Sequence, residues 1–223
     1  MKISDRYPRE TGREYALRII KENLVNLELV PGSQISENEL AEALHISRTP
    51  VREALIELAE VKVIEIVPQK RSLVTRLNEE LIEEARFLRS ALETAVIGIV
   101  CEKRTEKDLR VFEENVKLQN FCLANGMSEK IMQLDDEFHR FFYEIARKIE
   151  IYNLMQNMAI HFDRVRNMAL YSVPELKIVQ DHEGLLEAIR EQNARKAKSL
   201  LEKHLDRYKV DAEAIKERFP EYF

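Results

Sequence analysis

Between residues 36 and 58 two short amphipathic patterns meet across a brief break, and this arrangement restricts the first part of the chain more than any other feature. Ser36 followed by Glu39 has the form of a capping box, in which hydroxyl and carboxylate satisfy the free amides of a helix start. Leu40, Ala41 and Leu44 then supply an apolar face. His45-Ile46-Ser47 interrupts the pattern, and Ser47 can cap a second helix carrying Val51, Ala54, Leu55 and Leu58. Pro50 falls in the first turn, where its missing amide has no intrahelical partner. The spacing of Leu40, Ala41, Leu44, Ile46, Val51 and Ala54 puts a small residue at the crossing and apolar side chains around it, as a helix-turn-helix requires. Upstream, Tyr15, Ala16, Ile19, Ile20, Leu24 and Leu27 predict a helix over 9–27, stopped by Leu29-Val30-Pro31-Gly32-Ser33. Downstream, 63–67 and 72–75 read as two strands around Pro68-Gln69-Lys70-Arg71, so residues 1–77 are expected to form a winged helix-turn-helix domain.

The second helix of the pair presents Arg48, Thr49 and Arg52 near its N-terminal end, on faces not used by Val51, Ala54 and Leu55. An arginine fork matches the two acceptors of guanine in the major groove, and a good bidentate contact contributes roughly 1–3 kcal/mol of base discrimination. Lys70 and Arg71 at the wing tip suit a phosphate or minor-groove contact. The competing reading makes these arginines solvated surface groups on an ordinary helical hairpin; the agreement of caps, crossing, basic helix start and following hairpin favours double-stranded DNA as partner. Charge points the same way. Residues 1–77 hold 12 Lys and Arg against 12 Asp and Glu, so the net charge of −5 belongs wholly to the remainder.

That remainder reads as a run of helices over 78–103, 105–124, 128–148, 150–171, 174–191 and 193–217. Asn78, Thr105 with Asp108, and Asn193 stand where caps are needed. Short joints favour antiparallel neighbours, and with only 5 Gly and 6 Pro in the chain a turn-dense β fold is excluded. The expected fold is mainly α: the winged domain plus an all-α antiparallel bundle over 78–223. No stretch approaches the roughly 20 apolar residues that cross a bilayer, and the N-terminal residues lack the apolar core of a signal peptide, so a cytoplasmic protein is expected. Cys101 and Cys122 sit singly in helical patterns and read as packing residues.

Four polar residues fall on the apolar stripes of this bundle, where each needs a partner because an unsatisfied buried group costs about 1–3 kcal/mol. Asp135 and His139 lie one turn apart among Ile131, Leu134, Phe138 and Phe142; His182 lies among Ile178, Leu185 and Ile189; His204 lies between Leu201 and Tyr208. Asp and His at i and i+4 project side by side, and two further imidazoles complete a nitrogen-rich site for one divalent cation: zinc foremost, with nickel, manganese or iron also compatible. The bland alternative has each histidine donating to a nearby carbonyl and Asp135 pairing with an arginine. Arg89 shares a stripe with Ile82, Ala85, Leu92 and Val96, and has two readings: a fork for the carboxylate of a small effector, or an internal ion pair with Glu93 one turn on. Arg164 and Arg166 are further candidates for the effector pocket, while His161 reads as a helix-flank residue.

The segments Ile35-Ser36-Glu37-Asn38-Glu39-Leu40-Ala41-Glu42 and Ser47-Arg48-Thr49-Pro50-Val51-Arg52-Glu53-Ala54-Leu55 resemble the GntR family of bacterial transcription regulators. The resemblance implies that Arg48 and Arg52 read the operator. Asn38 stands where relatives often use an arginine and is a further candidate contact; Lys62 and Arg71 stand where the family usually has glycine. The second half is similar to the FCD sensor domain of the FadR branch in its metal-binding form, through Asp135, Phe138 and His139, then His182-Glu183 and His204. The resemblance implies a metal that helps hold a small carboxylate effector, a homodimer on an inverted repeat, and regulation by effector-driven release, without enzymatic activity. Three rivals stand beside it: a sensor for which the ion itself is the signal, a metal-dependent hydrolase or isomerase using polarised water beside Glu183, and a metal-free lipid or acyl-CoA sensor, which the inward histidines count against.

Overall fold

A computed structural model describes residues 1–67, 71–172 and 177–223. Lys70, expected at the wing tip, lies outside them. The N-terminal part runs α1 (Gly12–Val25), β1 (Gln34–Ile35), α2 (Glu37–Ala43), α3 (Arg48–Glu60), β2 (Ile64–Glu65) and β3 (Ser72–Val74). The strands form an antiparallel sheet in the order β1-β3-β2, with Ile35 opposite Ser72 and Ile64 opposite Val74. Ile19, Ile20 and Leu24 of α1 pack with Val51, Ala54 and Leu55 of α3, closed on the sheet side by Ile64 and Val74.

Several local expectations are corrected. The first helix begins at Gly12 rather than 9, where Thr11 and Glu14 form the capping box. Ser36 and Ser47 occupy N-cap positions but make no side-chain cap bond. Glu39 does not return to the Ser36 amide; both its carboxylate oxygens take the guanidinium of Arg71, the residue before β3. The strands are shorter than expected, and β1 was not anticipated at two residues long. The turn between α2 and α3 uses His45 at φ 54°, with the Ile46 amide closing onto the Ala41 carbonyl. Lys62 adopts φ 60° immediately after α3, the left-handed region in which a glycine is free of strain.

The C-terminal part is a bundle of α4 (Glu79–Lys103), α5 (Glu106–Ala124), α6 (Ser128–Ile145), α7 (Ile149–Ser172), α8 (Ile178–Arg190) and α9 (Ala194–Arg218). Asn78 accepts from the Leu81 amide, Thr105 and Asp108 form a capping box, and Asn193 accepts from the Lys196 amide. The third bundle helix stops at Ile145, three residues early, because Arg147 turns left-handed and the Lys148 amide closes on the Tyr143 carbonyl. Phe112, Phe138, Phe142, Ile97 and Leu201 lie in its core. Both cysteines are buried and free. Among the described residues no helix is long and apolar enough to cross a membrane.

Helix α7 belongs to both units. Ile160 joins the N-terminal core, Asn167 Nδ2 donates to the Val25 carbonyl (2.9 Å), and Lys21 Nζ of α1 donates to Gln156 O (2.5 Å). His161 is buried here rather than on a flank, with Nε2 against the Val61 carbonyl at 2.6 Å. Burial holds its pKa below the free value of 6.5, opposed by the Val61 hydrogen bond and aided by Arg164 and Lys62, with Glu84 a weaker counterweight. A depressed folded pKa means that the neutral ring's contribution is complete above about pH 6.5 and is lost as protons favour the undocked ring on acidification. Between about pH 7.5 and pH 5.5 the unfolding midpoint is therefore expected to fall less in His161→Gln than in the parent chain. Equal slopes in thermal melts of the two proteins would remove His161 as the cause.

Candidate metal centre and DNA-reading face

The stripes on α6, α8 and α9 converge. Asp135, His139, His182 and His204 are all buried, and their ligand atoms lie within 4.8 Å of one another. Asp135 Oδ1 is 3.4 Å from His182 Nε2, 3.9 Å from His204 Nε2 and 4.0 Å from His139 Nε2. His139 Nε2 and His204 Nε2 face each other at 3.2 Å. Donors about 2.0–2.1 Å from a zinc-sized ion stand roughly 3.0–3.4 Å apart in octahedral or tetrahedral geometry, so small side-chain adjustments suffice.

The outer ring nitrogens explain why the inner ones are available. His139 Nδ1 faces Glu93 Oε2 at 2.5 Å, His182 Nδ1 faces Gln119 Oε1 at 2.7 Å, and His204 Nδ1 faces Asp181 Oδ2 at 3.2 Å. All three partners are acceptors, which assigns the proton to Nδ1 and turns the Nε2 lone pairs inward. Among the described residues His182 Nε2 is buried with no hydrogen-bond partner. Lone pairs on His139 and His204 would repel across 3.2 Å unless one ring took a second proton or a cation stood between them. Burial, then Arg89, keeps the His139 pKa well below 6.5; burial, then His204, pushes His182 down to about 3. Neutral rings, one carboxylate and an orphaned nitrogen fit a divalent metal.

Asp135 Oδ2 is held by Arg166, which also binds Asp163 (2.6 Å) and Asp136 (3.0 Å). Burial would raise the Asp135 carboxyl, but the positive groups around it, Arg166 foremost, together outweigh burial and hold the group well below the usual range. The pairing of Asp135 with an arginine, expected only if no metal site existed, thus coexists with the cluster because the two carboxylate oxygens serve different partners. Arg89 Nε donates to Glu93 Oε1 at 2.7 Å, so the internal ion pair of its two readings is present. Arg164 Nη2 donates to the Thr75 carbonyl at the junction between the units. Its Nε and Nη1 have no partner among the described residues, and burial pushes its pKa down to about 10. Two positions later, Arg166 faces the opposite way and lines a cavity of about 400 Å³ between α7, α8 and α9. Asp135 and His204 reach the same cavity, as does Arg207, whose guanidinium holds Asp181 at 2.5–2.8 Å. Sequence reasoning missed Gln119 and Asp181 and assigned Glu93 only to Arg89. Asp181 had one signal, its place beside His182; Gln119 reaches His182 from another helix and had none.

On the N-terminal unit, Arg48, Thr49, Arg52 and Asn38 are all exposed. Arg48 Nη2 and Arg52 Nε lie 3.4 and 3.5 Å from the carboxylate of Glu37, a partner not anticipated from the sequence. Arg71 is engaged with Glu39 and so braces β3 against α2.

An exposed pair of arginines at a helix start, a small sheet beside it, and a helical unit with a buried histidine-aspartate cluster define a winged helix-turn-helix regulator with a second, all-helical unit. The comparisons with known proteins specify the family. The description of bacterial regulatory proteins of the gntR family matches residues 14–74, and that of the FCD domain matches 84–207. The chain belongs to the GntR family, in its form with an FCD domain, and is a transcriptional regulator of that type. It is 27% identical over 218 residues to the HTH-type transcriptional repressor RspR of Escherichia coli K12, covering 97% of this chain and 95% of that protein. An HTH-type transcriptional regulator in an unstable DNA locus of Streptomyces ambofaciens is 30% identical over 218 residues, covering 96% and 90%. The solved structure of E. coli McbR/YncC superimposes with a TM-score of 0.80 at 19% identity, covering 94% of this chain and 99% of that one, which concerns the fold alone. These relatives are regulators and not enzymes, which removes the hydrolase or isomerase rival.

Proposed function

We propose that the chain is a cytoplasmic, ligand-responsive repressor that binds an inverted-repeat operator as a homodimer and senses a small organic acid at a divalent-metal site. Residues 1–77 read DNA and 78–223 sense and dimerise. The observation that carries the sensing half is the convergence of Asp135 Oδ1 with three Nε2 atoms whose rings are each tied back through Nδ1. Asp135, His139, His182 and His204 hold the ion, zinc foremost, and the ion supplies a Lewis-acidic anchor for the effector carboxylate in the adjoining cavity. Arg48, Thr49 and Arg52 reach base edges, with Asn38, Arg71 and Lys70 as accessory contacts. Repression accords with the name of RspR. A second copy has a surface to cover, because Val111, Leu118 and Phe121 stand exposed along one side of α5.

Effector binding shifts the DNA-competent population only by its differential affinity, and coupling of roughly 1–3 kcal/mol gives about 5- to 150-fold regulation. The test is elemental analysis of protein purified without chelator, alongside His182→Ala. One metal per chain in the parent and a loss of at least tenfold in the variant is expected. Absence of metal from both preparations would remove the site. Operator affinity that follows metal but ignores every organic acid would instead select direct metal sensing.

A further inference from the structure

A chain that pairs with its own copy needs a patch complementary to itself, and α5 is not the only helix with an apolar side left open. On α4, Phe87 is 67% exposed, Ala91 and Ala95 are exposed one and two turns on, and Leu88 is half-buried beside them. At 100° per residue, positions 84, 87, 91, 95 and 98 fall within about 40° on either side of Ala91. They form one stripe, opposite the buried Ile82, Arg89 and Glu93 that face the bundle core.

This stripe complements its own reverse. Turned end for end about Ala91, bulky Phe87 comes to the height of small Ala95, each about 6 Å from the centre. Glu84 comes to the height of Gly98, each about 10.5 Å out. At Gly98 the side chain of Lys198 from α9 lies across α4, since a Cβ added there would meet Lys198 Cε at 3.0 Å. Glu84 and Lys198 are both exposed, and neither has an ion-pair partner among the described residues. Size and charge therefore match at the same register, and the small side chains of Ala91 and Ala95 let two helix axes approach to about 8–10 Å.

Resting on the homodimer proposed above, we infer that two chains pair through antiparallel α4 helices about a twofold axis at Ala91. Phe87 of each chain packs on Ala95 of the partner subunit, and Glu84 of each meets Lys198 of the partner subunit.

A residue on a twofold axis lies opposite its own copy, which makes Ala91→Cys in the full chain the decisive variant. Facing Cα atoms of helices this close stand about 5 Å apart, a separation that a disulfide spans. Air oxidation should convert most Ala91→Cys chains to a covalent dimer on a non-reducing gel, while the parent, whose Cys101 and Cys122 are buried, stays unlinked. Sedimentation equilibrium supplies the second readout. Ala95→Glu, which sets a carboxylate against Phe87 of the partner subunit, should raise the dimer dissociation constant at least about tenfold. Glu84→Lys and Lys198→Glu should each raise it about fivefold, and the two together should return it to within about twofold of the parent. A dimer whose Ala91→Cys chains stay unlinked, whether or not Leu118→Cys on α5 links in their place, overturns the inference and leaves the homodimer standing. A parent chain that sediments as a monomer up to about 100 μM overturns both.

Discussion

Replacing Glu93 by alanine is expected to lower the thermal unfolding midpoint by about 10 °C, from a loss of roughly 3–5 kcal/mol at about 2–4 °C per kcal/mol. Glu93 is fully buried and serves two groups at once: Oε1 takes Arg89 Nε and Oε2 takes His139 Nδ1. Removing it leaves the buried Arg89 guanidinium with only Asp135 and Asp163, each at 3.9 Å, and frees the His139 ring to turn. An uncompensated charge in the interior is far costlier than the intact pair is beneficial. Arg89→Met added to Glu93→Ala should therefore recover part of the loss. Metal affinity should still remain weakened by about 10- to 100-fold, since the ring stays unoriented. A single variant that melts within about 2 °C of the parent would show that water or rearranged side chains supply what Glu93 does.

Arg48→Ala and Arg52→Ala are each expected to weaken operator binding about 5- to 150-fold, the equivalent of roughly 1–3 kcal/mol, and to relax base preference at the contacted positions. Fluorescence anisotropy on a duplex selected from a random pool, with a scrambled duplex as reference at fixed salt, measures both quantities. Equal losses on the two duplexes would mean that these arginines meet phosphate rather than bases. Glu37→Gln provides the contrast. Both arginines lie close to the Glu37 carboxylate, which restrains them and offsets their charge before DNA arrives. Without it, binding to the scrambled duplex should strengthen about two- to fivefold while discrimination narrows, because a negative charge near the phosphates has gone and the forks are less restrained.

The parts of this molecule that were legible in its sequence are those carried by spacing along one helix. Asp135 and His139 fall on the same side of α6 one turn apart, and His182 and His204 interrupt apolar stripes, so each announced an inward group. What spacing could not convey was which partner arrives from another helix. Gln119 comes from α5 and Glu93 from α4, and neither position differs in pattern from an ordinary polar interruption. Arg164 and Arg166 make the same point within α7. Two residues correspond to about 200° of rotation, so one must turn away from whatever the other faces. Only the packing of α7 between two units decides that Arg166 lines the cavity and Arg164 meets Thr75. At the N-terminus the Ser36–Glu39 signature was overridden because Arg71, thirty-two positions on, captured the carboxylate that the cap needed.

The double allegiance of α7 limits how such a protein can be re-engineered. His161, Arg164 and Asn167 fasten the winged helix-turn-helix unit, while Phe162, Val165 and Arg166, interleaved with them, build the wall of the cavity beside the histidine cluster. That unit is thus no detachable cassette. A graft that gives it a foreign sensor must carry over the fastening positions or redesign them, and each substitution in that rod will be felt by whichever half the engineer meant to leave untouched.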